Sequence, residues 1–119
     1  MFQTTLVVDT GTNLTLRVEN RGDRAARFCR YQTPFEGFRA PFLSVEAESG
    51  EEVVYTGALV KRAPPGDDDY ITLAAGAVEQ ASFDLTDAYA VSTGPYTVRF
   101  VGGMVSGLPD SESVAVDVP

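Results

Sequence analysis

Asn13-Leu14-Thr15-Leu16-Arg17-Val18-Glu19 alternates apolar and polar residues at every step. Successive side chains on a strand point to opposite faces, so this run reads as a strand with one face buried. Upstream, Thr4 to Asp9 is a second β-rich run, and Asp9-Thr10-Gly11-Thr12 between them carries turn residues. The two runs read as a strand pair. Downstream, the turn Asn20-Arg21-Gly22-Asp23 leads into a third strand over Ala25 to Tyr31. Its Arg-Gly-Asp triplet is what turn geometry asks for, since Asn, Gly and Asp tolerate positive φ or cap their own backbone.

The same period recurs to the end of the chain. Phe42 to Ala47 and Glu51 to Tyr55 flank Glu48-Ser49-Gly50 as a hairpin, and Tyr70 to Leu73 is a short strand. Val78 to Leu85 alternates Ala81, Phe83 and Leu85 with polar residues; Asp84 or Thr86 can then cap one helical turn before Tyr89. Gly94 to Phe100 and Ser113 to Val118 repeat the alternation, joined by a glycine-rich connection over Gly102 to Asp110 that is expected to be mobile. Seven to nine short strands without a long helix predict an all-β fold, an immunoglobulin-like antiparallel β-sandwich over residues 1–119 as a single domain. Tyr89 and Tyr96 are both candidates for a tyrosine-corner bond.

Composition narrows the function. A net charge of -8 works against nucleic acid or an anionic membrane as partner, because both are bound through basic surface. No apolar run reaches membrane-spanning length, and the N-terminus lacks the basic and apolar regions of a signal peptide. As written the chain is expected to be cytoplasmic, or secreted or periplasmic if a leader has been removed. There is one cysteine, Cys29, read as a small strand residue, and there is no histidine. Without histidine the usual general base and the commonest zinc ligand are missing, so the chain is expected not to be an enzyme and to carry no cofactor. Asp67-Asp68-Asp69 lacks the spaced ligand pattern of a calcium loop and reads as a solvated acidic turn in a strand-like segment.

The residues left over are recognition groups. Tyr55 to Leu73 sets Lys61-Arg62 against Asp67-Asp68-Asp69 across Ala63-Pro64-Pro65-Gly66, with Tyr70 closing the segment. Prolines lower the ordering cost when a partner grips such a stretch. Thr33 to Pro41 holds Phe35, Glu36 and Phe38 in a loop too apolar to be idle, which packs back on the domain or meets a partner. The candidate partner-binding residues are therefore Lys61, Arg62, Pro64, Pro65, Phe35, Glu36, Phe38 and Tyr70, with no catalytic or metal-binding set.

Thr33-Pro34-Phe35-Glu36-Gly37, Tyr55-x-Gly57, Val60-Lys61-Arg62-x-Pro64, Asp69-Tyr70-x-x-Leu73, Gly76, Asp84-Leu85-x-x-Ala88-Tyr89 and Gly94-x-Tyr96-Thr97-Val98 carry a family resemblance. In order and spacing they resemble the propeptide-type β domain of bacterial deuterolysin-class, or aspzincin, metalloendopeptidases, which include peptidyl-Lys endopeptidases. The family's His-Glu-x-x-His helix is absent. The resemblance implies a module that inhibits or chaperones a zinc metalloendopeptidase by covering its active-site cleft. It implies Lys61 in a lysine-accepting pocket, Arg62 against an acidic rim and Pro64-Pro65 holding a poorly cleaved shape, with Glu36 as an alternative ligand to the target's zinc. The competing expectation is a structural or interaction β-sandwich with no protease target.

Overall fold

Leu14, Leu16 and Val18 lie fully buried on one face of strand β2, Asn13–Asn20, in a computed structural model describing residues 1–119. β1, Phe2–Thr10, pairs with it antiparallel, placing Leu6 opposite Leu16, and the pair turns through Gly11, whose φ of 55° suits a residue without Cβ. β2 also pairs antiparallel with β6, Val78–Asp84, which places Leu14 opposite Phe83. On the outer face Thr15 bonds Asp9 at 2.6 Å and Ser82 at 2.7 Å, so the buried hydroxyl between three strands is satisfied.

The other strands form two further antiparallel sheets. β4, Leu43–Ala47, β7, Gly94–Phe100, and β8, Val114–Val118, lie in the order β4-β7-β8, with Val45 opposite Val98 and Tyr96 opposite Val116. β3, Ala26–Cys29, pairs with β5, Tyr70–Leu73, and buries Phe28 and Cys29. All three sheets contribute to one apolar cluster of 17 buried residues. The protein is thus mainly β, with several antiparallel sheets and almost no helix.

Four expectations change. Glu51 to Tyr55 is not a strand; it touches its neighbours through lone bridges, Glu46 to Glu52 and Tyr55 to Tyr89. The third strand ends at Cys29, because Gln32 turns with φ 57° and Pro34 starts a 3-10 turn, Pro34–Glu36, capped by Thr33. Asp67–Asp69 is the expected acidic turn, but as a 3-10 turn ahead of the strand and not within a strand-like run. The connection over 102–110 is anchored by a helical turn, Gly103–Ser106, by buried Leu108 and by the Ser106 hydroxyl donating to Gly102 O at 2.8 Å.

Other expectations are met in detail. Asp84 caps the 3-10 turn Leu85–Asp87 by accepting from Thr86 N–H at 2.9 Å. Asn20 organises the Arg21-Gly22-Asp23 turn: its side chain accepts from Gly22 N–H at 2.9 Å and donates to Arg24 O at 2.8 Å. Tyr96 makes the local tyrosine bond, accepting from Ser92 N–H at 3.1 Å, while buried Tyr89 reaches across to Leu43 O at 3.2 Å.

Candidate functional site

The chain leaves the core at Tyr55 and returns at the Gly66–Tyr70 turn. Thr56 N–H donates to Ala88 O at 2.8 Å, and the Tyr55 hydroxyl donates to Ala58 O at 2.6 Å, folding the chain back over its own ring. A Cβ on Gly57 would lie 2.6 to 2.8 Å from the hydroxyl end of Tyr55, so a larger residue at this crossing would push the tyrosine side chain aside. Leu59, Val60, Lys61, Ala63 and Pro64 then lie exposed, with Pro65 half-buried.

Two contacts hold this exposed run against the Thr33–Pro41 loop. Val60 N–H donates to Arg39 O at 2.9 Å. Arg62 ion-pairs with Glu36, and its guanidinium lies 4.3 Å from the centre of the Tyr31 ring. Between them Lys61, the chain's one lysine, makes neither an ion pair nor a hydrogen bond. A cleft of about 390 Å³ opens beside it, lined by Tyr31, Arg39, Val60, Arg62, Pro65 and Val105 among others.

The anchors are themselves anchored. Glu36 is only 6% exposed at its side chain and uses both oxygens, one for Arg62 and one accepting from Gln32 N–H at 2.9 Å. That second bond supports the left-handed backbone of Gln32, a conformation a side chain disfavours. Arg39 donates from Nε to Glu36 O at 3.1 Å. Tyr31 donates to Asp69 at 2.9 Å, and Asp69 also accepts from Gly66 N–H at 3.0 Å and pairs with Arg30 at 3.3 Å.

These contacts set the electrostatics. The Gly66 N–H and then the Tyr31 hydroxyl hold Asp69 below the ordinary carboxylate value against the opposing effect of burial. Burial first, and then Asp69, push Tyr31 up. Burial would lower the Arg62 guanidinium, but its contacts with Tyr31 and Glu36 outweigh that and raise it. The acidic turn therefore fastens the far end of the segment as well as facing water.

The sequence-predicted residues separate into groups. Lys61 is presented to solvent, and Pro64, also exposed, lines the cleft together with Pro65. Arg62 and Glu36 pair with each other, so Arg62 meets an acidic partner within the chain, and both Glu36 carboxylate oxygens are engaged, one by Arg62 and one by Gln32 N–H. Phe35 packs on Phe28 at 5.3 Å, and Phe38 stacks on Phe42 at 4.7 Å, so both serve the core. Tyr70 pairs opposite Cys29 with Arg27 over its ring at 4.1 Å. Tyr31, Arg39 and Asp69 were missed as site residues; the signal in reach was Arg30-Tyr31 immediately ahead of the Thr33-Pro34-Phe35-Glu36-Gly37 loop.

This chain is similar to an extracellular protease of Aeromonas hydrophila. The two are 37% identical over 94 residues, which is 78% of this chain and 26% of the protease. The chain thus spans about a quarter of the length of the curated relative it matches. No family model matches it. No helix is long and apolar enough to cross a membrane.

Proposed function

We propose that this chain is a non-enzymatic protein-binding module that inhibits or chaperones a deuterolysin-class zinc endopeptidase by covering its active-site cleft. The relationship to a quarter of an extracellular protease carries the reading. A chain without histidine suits a part of such a protease outside a His-Glu-x-x-His zinc site. The propeptide resemblance supplies the class, and under it the sheets are an immunoglobulin-like sandwich serving as the scaffold. Lys61 fills a lysine-accepting pocket, since it stands exposed and unpaired between two anchored neighbours and so enters a pocket with little further ordering of its backbone. Pro64 and Pro65 stiffen the exit from that position.

The direct test is inhibition of a deuterolysin-class endopeptidase by the purified chain, with a thermolysin-class enzyme as control. Inhibition of the first and not the second is expected. Binding to neither enzyme returns the chain to an interaction module with no protease target.

A further inference from the structure

An exposed segment without regular secondary structure is the form in which endopeptidases take their substrates. Residues 56–66 have that form, yet they carry the lysine that the inhibitor reading places in a lysine-accepting pocket. A lysine held there by a free loop would be cut. Two tethers separate this segment from a free loop, and they sit immediately on either side of Lys61. On one side the Val60 N–H is bonded to Arg39 O at 2.9 Å; on the other, Arg62 is paired with Glu36 and lies over the Tyr31 ring. The receiving residues are bonded to each other, Arg39 Nε to Glu36 O at 3.1 Å, so both tethers end on one fixed loop.

We propose that Glu36, Arg39 and Arg62 form a clamp that makes the Lys61 segment resistant to cleavage, and so decides that it inhibits a lysine-selective endopeptidase and is not consumed by it. Glu36 and Arg62 are positioning residues in this scheme. Hydrolysis of the Val60–Lys61 bond takes up one water, breaks the C–N bond and leaves a carboxylate on Val60 and an ammonium on Lys61. In a free loop the new ends diffuse apart. In the clamp the carboxylate end stays bonded through the Val60 N–H, and the amine end stays beside it through Arg62. Reverse condensation, which releases the water again, then competes with separation because the ends remain at high effective concentration. The tethers also lower the population of the opened segment, which sets the cleavage rate when opening and closing are fast.

The proposal rests on the inhibitor reading for its target, but the clamp is tested with a different enzyme. Because Lys61 is the chain's one lysine, a lysine-specific serine endopeptidase, which cuts on the carboxyl side of lysine, has a single site, the Lys61–Arg62 bond. That bond lies between the same two tethers as Val60–Lys61. Wild type, Arg62→Ala and Glu36→Gln are digested in the folded state and followed by mass spectrometry, with thermal midpoints measured alongside. Asp67→Asn, which removes a pair with Arg27 outside the clamp, is the control. Cleavage of both clamp variants about tenfold faster or more is expected, as for loss of one charge-assisted bond, with midpoints close to wild type and the control cut at the wild-type rate. Cleavage of both variants at the wild-type rate overturns the clamp. Against the zinc endopeptidase, a clamp variant that binds and is then cut supports clamp and inhibitor alike. One that binds and stays intact overturns the clamp alone, and absence of binding by wild type overturns the inhibitor reading alone.

Discussion

Around Phe42 the chain is held by surface removed from water, whereas around Lys61 it is held by a few directed bonds. Phe42 is 1% exposed and stacks on Phe38 at 4.7 Å, meets Phe83 edge-on at 5.3 Å and lies 6.3 Å from Phe100. Rings from a loop and from two sheets meet there, so losing one leaves a void its neighbours cannot fill. The Lys61 segment has no such packing, and its own large apolar residue, Leu59, is 77% exposed. What fixes it are the Val60 and Arg62 contacts to the Thr33–Pro41 loop, and that loop is in turn pinned to the core by Phe35 and Phe38. The core thus positions the segment at second hand. Stability and presentation are therefore separable, and substitutions in the two regions should move different measurements.

The comparison breaks if the aromatic region proves soft. Phe42→Ala is expected to cost about 3–5 kcal/mol in denaturant unfolding, the range for large-to-small changes at a buried ring. Gly102→Ala comes next at about 1–3 kcal/mol, an overpacking cost. Its new Cβ would lie 1.8 Å from Leu108 O, so the connection over 102–110 must shift. A neutral Gly102→Ala would show that this connection is loose after all.

Tyr89 sharpens the comparison through pH. Burial pushes its hydroxyl up to about 12 from an ordinary 10.0, with Tyr55 adding to the effect. The neutral form is the one the fold prefers, so this stabilisation is complete below pH 10 and is lost as pH rises through 10 towards 12. Tyr89→Phe is expected to cost about 1 kcal/mol at neutral pH through loss of the bond to Leu43 O, and to flatten the alkaline decline seen in unfolding curves. Substitutions at Lys61, by contrast, are expected to leave unfolding unchanged, since an exposed, unpaired side chain away from the core contributes little.

The sequence made the packed region legible and left the segment's attachment hidden. Period-two alternation placed Leu14, Leu16 and Val18 inward and identified most strands, because burial of one face of a sheet leaves a local mark. The Asp84 cap was legible for the same reason, as it acts within its own turn. Phe35 and Phe38 were recognised as too apolar to be idle, but only the fold shows them facing the core. The Glu36–Arg62 pair joins residues 26 apart and the Tyr31–Asp69 bond residues 38 apart. Neither follows from spacing, because each depends on how β3 and β5 are registered and on how two irregular stretches lie side by side. Glu51 to Tyr55 failed as a strand for a related reason: its composition suits one, yet it forms only lone bridges at Glu52 and Tyr55.

Lys61 is where the account is most exposed. The decisive measurement is the inhibition constant of Lys61→Ala against a deuterolysin-class endopeptidase, compared with wild type under the same conditions. A loss of on the order of tenfold or more, the scale of a buried interface anchor, is the predicted result. Inhibition by wild type that Lys61→Ala reproduces in full would contradict it.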